Sequence, residues 1–108
     1  MALEATLEAT VDGEVKFRFT VLNAGDSQAE LQFQSGKVAD VAVFDGGEEI
    51  WRWSDGRMFT QALQSWTLGP GESTDQQFTW EDPPSGTYTA RATLEAGRNI
   101  EATTSVTV

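Results

Sequence analysis

Leu3-Glu-Ala-Thr-Leu-Glu-Ala-Thr-Val-Asp-Gly-Glu-Val-Lys-Phe-Arg-Phe-Thr-Val21 decides the fold. Leu3, Ala5, Leu7, Ala9 and Val11 alternate with Glu4, Thr6, Glu8 and Thr10, a period of two that sorts apolar and polar side chains onto opposite faces of a strand. Asp12-Gly13 breaks the run, and Val15, Phe17, Phe19 and Val21 resume it against Lys16, Arg18 and Thr20. Asn23-Ala24-Gly25-Asp26-Ser27 then supplies turn residues. Two long strands joined by a tight turn are the expectation.

The same grammar continues. Leu31 and Phe33 mark a short third strand, Ser35-Gly36 a turn, and Val38 to Phe44 a β-branched fourth strand. Asp45-Gly46-Gly47 offers the positive φ angles of a hairpin, so Glu49 to Ser54 is expected to return as a fifth strand. Phe59 to Trp66 is ambiguous: Phe59, Ala62, Leu63 and Trp66 match a helical stripe of one or two turns, while Phe59, Gln61 and Leu63 partly alternate. Leu68-Gly-Pro-Gly71 is a tight bend, Ser73 to Trp80 a strand, and Pro83-Pro84-Ser85-Gly86 a rigid loop. Thr87 to Glu95 and Ile100 to Val108 are two further strands around Ala96-Gly97-Arg98-Asn99. Eight or nine short strands in one domain, residues 1–108, predict an all-β antiparallel sandwich, because a single open sheet of that size would leave an apolar face wet.

Composition narrows the chemistry. With no cysteine and no histidine, neither disulfides nor the commonest zinc and copper ligands are available. Ser54, Ser65 and Ser73 have no histidine to activate them, so the usual catalytic triad is absent and no catalytic residue is assigned. Asp40, Asp45, Glu48 and Glu49 surround a Gly-rich turn, but their spacing fits no calcium loop, and a solvated acidic hairpin is the reading; neither metal nor cofactor is expected. Seventeen acidic against seven basic residues give a net charge of -10, which opposes phosphate backbones and anionic membrane surfaces. No window approaches the roughly 20 apolar residues that cross a bilayer as a helix. The expectation is a cytoplasmic monomer that binds neither nucleic acid nor membrane.

Trp51-Arg-Trp-Ser-Asp-Gly-Arg-Met-Phe59 concentrates large aromatics beside turn residues and points to recognition. Trp51 and Trp53, two residues apart, share one strand face: buried together they are core, and exposed together they would form a platform for a sugar ring or a protein partner. Ser85-Gly86-Thr87-Tyr88 resembles the Tyr corner of immunoglobulin-like domains, in which a phenol bonds back to the preceding connection.

Val38 to Phe44, Asp45-Gly46-Gly47, Trp51-Arg52-Trp53-Ser54, Met58-Phe59-Thr60-Gln61-Ala62-Leu63, Leu68-x-Pro70-Gly71-Glu72, Trp80 and Gly86-Thr87-Tyr88 occur in an order that resembles the BsuPI family of intracellular proteinase inhibitors. The likeness covers nearly the whole chain and is most specific in Phe59-Thr-Gln-Ala-Leu63. It implies an immunoglobulin-like sandwich that restrains an intracellular serine proteinase of the subtilisin type. No contact residue comes with the resemblance, so candidates rest on chemistry. Rigid end loops that occlude a cleft are the expected mechanism. Subtilisin-type enzymes favour an apolar side chain in the main specificity pocket, which puts the loop around Asp55, Gly56, Arg57 and Met58 first, with Met58 inserted; the alternative is that Met58 and Phe59 are core. The bend Leu68, Gly69, Pro70 and Gly71 is second, with Leu68 offered to the enzyme or serving a plain connection, and Asn23 to Ser27 is third. A non-inhibitory immunoglobulin-like interaction domain, or a carbohydrate-binding one, is the competing function.

The acidic residues are dispersed along the chain, and only Lys16 and Lys37 are lysines. Such a surface suits a high-salt cytoplasm, where screening shortens self-repulsion to a few Å. The urea midpoint of unfolding is therefore expected to rise markedly between low and molar KCl; a flat response would refute the halophilic reading.

Overall fold

The computed structural model describes residues 3–96 and 100–108. It contains nine strands and, among those residues, no helix: β1 (Leu3–Asp12), β2 (Glu14–Asn23), β3 (Ala29–Phe33), β4 (Ala39–Asp45), β5 (Glu48–Arg52), β6 (Gln64–Leu68), β7 (Ser73–Trp80), β8 (Thr87–Leu94) and β9 (Glu101–Thr107). All ladders are antiparallel. One sheet has the order β1-β2-β7, the other β5-β4-β8-β9, and β3 pairs with β6 in a small third sheet. The closing turn expected at Ala96-Gly97-Arg98-Asn99 falls mainly on residues 97–99, outside the described residues.

Alternation in β2 puts Val15, Phe17, Phe19 and Val21 in the core, each at most 1% exposed. β1 follows the same period, but its inner face is only partly covered, and Val11 at the hairpin end is exposed. β7 adds Phe78 and Trp80, and β8 adds Tyr88, Ala90, Ala92 and Leu94. β4 does not alternate, because Ala39, Asp40, Val41, Ala42 and Val43 are all buried. It is an inner strand whose outward face is also covered, which explains the unbroken apolar run around one aspartate.

A line of rings joins the two larger sheets. Phe17 of β2 stacks on Trp51 of β5 at 6.2 Å between ring centroids, Trp51 on Trp80 of β7 at 5.7 Å, and Trp80 meets Tyr88 of β8 edge-on at 5.4 Å. Each buried ring stabilises by about 1.5–3 kcal/mol through area removed from water, and each pair adds about 0.5–1.5 kcal/mol by its geometry. Trp51 reaches this line because of a bulge. Phe44 pairs with Glu49 and Val43 with Trp51, so Ile50 has no partner. The extra residue turns Trp51 inward and leaves Glu49 and Arg52 on the outer face.

Two expectations need correction. The helical turn allowed for Phe59 to Trp66 is absent: residues 59–63 are irregular and β6 follows. A helix would have put Ala62 and Leu63 on the covered stripe, but both are exposed, and the strand instead places Trp66 against Phe33 at 4.8 Å and Leu68 opposite Ala29. Packing against β3 overrides the local 3.6-residue period. The fifth strand ends at Arg52, two residues before the predicted Ser54, although the Trp53 N–H still donates to the Val41 carbonyl.

The Tyr corner forms as expected. Tyr88 Oη donates to the Pro84 carbonyl at 2.8 Å, with the Ser85 carbonyl 3.2 Å away. Gly86 is held at φ +154°, and a Cβ there would lie 2.9 Å from the Tyr88 hydroxyl. Tyr88→Phe should cost about 1 kcal/mol in urea unfolding. Gly86→Ala should cost more, through strain and the displaced phenol.

Candidate functional site

The aromatic block ends in a turn whose residues 55–58 are exposed. Asp55 N–H donates to the Arg52 carbonyl and Arg57 N–H to the Ser54 carbonyl, with Gly56 at φ +76° between them. That φ is open to glycine at little cost and disfavoured for a residue with a Cβ. Met58 follows and is 97% exposed. The alternative that Met58 and Phe59 are both core is therefore met only by Phe59, which is half-buried against Trp53 at 5.8 Å.

Both sides of the turn are anchored. Trp53 packs edge-on against Phe78 at 4.8 Å. Arg57 Nε donates to the Trp53 carbonyl at 2.8 Å, and its guanidinium lies 4.5 Å from the centre of the Trp53 ring. A cation over an indole face is worth about 0.5–1 kcal/mol at an exposed site. Arg57 is thus folded back onto the scaffold and Met58 is left at the tip.

On the other side, Ser54 is bound to a buried carboxylate. Asp40, 1% exposed, accepts from the Ser54 hydroxyl at 2.6 Å and from the N–H groups of Ser54 at 3.2 Å and Val41 at 2.9 Å. Lys37 Nζ at 3.0 Å and Arg52 Nη1 at 3.2 Å complete its shell. Lys37 also pairs with Glu95, and Arg52 with Glu49. Burial on its own would push the Asp40 carboxyl up, but the hydrogen bonds from Ser54 and Lys37, the Lys37 charge and the Arg52 contact outweigh it and hold the group below its ordinary range. Burial would lower Lys37, yet its bonds to Asp40 and Glu95 raise it. Both oxygens of Asp40 are taken up by the protein's own donors, so it is an internal anchor and not an open calcium ligand.

The second candidate needs revision. Leu68 is 6% exposed and paired opposite Ala29, so it is core and cannot be offered to a partner. Its side chain lies in the core cluster, and of the bend only Pro70 and Gly71 are exposed, with Gly69 half-covered. Glu72 reaches back to accept from the Gly69 N–H. The bend is tied to the third candidate loop by Asn23, which is 1% exposed. Asn23 Nδ2 donates to the carbonyls of Ser27 and Leu68, each at 2.9 Å, and Oδ1 accepts from Gly25 N–H at 3.0 Å. Its backbone accepts from Gly71 N–H and donates to the Glu72 carbonyl. Bend and loop therefore form one unit at the end of β2.

Trp51 and Trp53 are half-buried with their faces engaged, Trp51 by Phe17 and Trp80, Trp53 by Arg57. A flat exposed platform for a sugar is not what they form. Sequence reasoning missed the anchoring roles of Asp40 and Asn23. An acid isolated within the apolar run Val38 to Phe44, with lysine and arginine near in sequence, was the available signal for Asp40. Nothing in sequence distinguished Asn23 from an ordinary turn residue.

The BsuPI family, described as an intracellular proteinase inhibitor, matches residues 2–99. The chain belongs to that family. Two solved structures are similar to this BsuPI chain over nearly its whole length. The crystal structure of the CARDB domain of the PF1109 protein from Pyrococcus furiosus, in complex with di-metal ions, is 21% identical with a TM-score of 0.53, covering 99% of this chain and 92% of that one. A solution NMR structure of the CARDB domain of PF1109 is 22% identical with a TM-score of 0.51, covering 98% and 93%. At such identity they speak for the immunoglobulin-like fold alone. No curated protein matches.

The Asp40 network sets a pH dependence. Because its folded pKa lies below the unfolded value of about 3.9, the Asp40 contribution is present above about pH 4 and is lost as pH falls through the folded value. Lys37 has the opposite sign: its contribution is complete below about pH 10.4 and is lost as pH rises through its raised folded value. Asp40→Asn should cost about 3 kcal/mol at pH 7, by leaving Lys37 and Arg52 without their shared anion. The gap from wild type should narrow below pH 4 in urea titrations.

Proposed function

We propose that this chain restrains a subtilisin-type serine proteinase within the cell by seating the Ser54–Phe59 turn in the enzyme's cleft, with Met58 in the main specificity pocket. The observation that carries the reading is the full exposure of one apolar side chain on a turn whose flanks are fixed by Asp40 and by Trp53. A turn already ordered loses little further entropy on binding. Arg57 is occupied by Trp53, so the side chain that leads is Met58, and an uncharged pocket is the complementary one. Family membership supports a proteinase as the partner.

Occlusion asks for no reactive group on the inhibitor, in keeping with a chain that lacks histidine and cysteine. The mechanism is steric: the backbone on either side of Met58 fills the cleft while the anchors keep it from relaxing into a cleavable conformation.

Titrating a subtilisin-type proteinase with the purified chain in high salt should give stoichiometric inhibition. Met58→Asp should weaken it by at least about a hundredfold, since a carboxylate entering an apolar pocket is left without partners. Its unfolding free energy should stay within about 0.5 kcal/mol of wild type, as for most surface changes. A Met58→Asp chain that inhibits as well as wild type would refute the assignment.

A further inference from the structure

We propose that Met58 is an oxidation site through which peroxides relieve the inhibition. The switch rests on the inhibitory reading of the same turn and adds its regulation.

Three observations meet at this residue. Met58 is 97% exposed, so its thioether is open to a small oxidant in the folded protein. The chain has no cysteine and two methionines, the other being Met1, so no thiol competes for the oxidant. The contacts that hold the turn, Ser54 on Asp40 and Arg57 on Trp53, use no atom of Met58. A change at the sulfur therefore alters the tip and leaves the scaffold intact, unlike oxidation of a core methionine.

The chemistry is an oxygen-atom transfer. The thioether sulfur attacks one peroxide oxygen, the O–O bond breaks, an S–O bond forms, and the second oxygen leaves as water after proton transfer. Sulfur is oxidised by two electrons and the peroxide is reduced by two. The product, methionine sulfoxide, carries a strong S–O dipole in place of an apolar thioether. An uncharged apolar pocket that accepted Met58 leaves that dipole without a hydrogen-bond donor, which weakens binding by about tenfold or more. The step is reversible: a methionine sulfoxide reductase returns the thioether, with two thiols becoming a disulfide and the oxygen leaving as water.

The test uses the full chain, hydrogen peroxide, and a subtilisin-type proteinase added after the peroxide has been removed. Peptide mass spectrometry places the added oxygen. Conversion at Met58 should weaken inhibition by about tenfold or more, with unchanged circular dichroism, and reductase with dithiothreitol should restore it. Met58→Gln, which places a polar amide at the tip, should be weak without peroxide. Met58→Leu, compared only with itself before and after treatment, should not respond.

A chain fully oxidised at Met58 that inhibits as strongly as the untreated one would overturn the switch and leave the inhibitory turn standing. A Met58→Leu chain that weakens under peroxide would place the effect elsewhere and also overturn it. An untreated chain without inhibition would remove both readings together.

Discussion

Without disulfides, the two larger sheets are held face to face by side-chain packing, and the ring line Phe17, Trp51, Trp80 and Tyr88 is where that packing concentrates. It draws on β2, β5, β7 and β8, so it ties both sheets to each other. The bulge at Ile50 is the condition for it, since a regular β5 would place Trp51 and Glu49 on the same face, the core one. Loss of a ring here removes packing from both sheets at once, a change of the size that core truncations of aromatics bring, about 3–5 kcal/mol.

From that line the exposed turn is built in two steps. Trp53 continues inward two residues beyond Trp51 and meets Phe78, which fixes where the chain leaves the sheet. Asp40 then holds Ser54 from the outer face of β4. The burial of a carboxylate is unfavourable alone and is offset here by five donors, two of them cationic. The arrangement gives geometry more than stability: it sets one backbone conformation for a segment without secondary structure of its own.

Much of this was legible in the residues. Strict alternation in β1 and β2 and the Gly-x-Tyr of the Tyr corner reported the sandwich directly, because period and turn chemistry are local properties. The turn around Met58 was legible as a candidate from Asp55-Gly56 and the apolar residue beyond it. Its exposure was not, since whether Met58 or Phe59 turns inward depends on Trp53, a contact made in three dimensions. Which of the two roles Leu68 takes was not legible for the same reason: β6 was hidden behind a helical spacing, and only its pairing with β3 places Leu68 in the core. The roles of Asp40 and Asn23 depend on partners brought in from distant segments, such as Ser54 for one and Leu68 for the other.

The unpaired Ile50 also bears on how copies of this chain meet one another. β5 is the outermost strand of its sheet, and a regular outermost strand is a template on which a neighbouring molecule can lay its own backbone. The interruption at Ile50 breaks the even row of amide and carbonyl groups, and Glu48, Glu49 and Arg52 set charge beside it. The irregularity that turns a tryptophan inward thus also spoils this border as a seed for fibrillar stacking at high concentration.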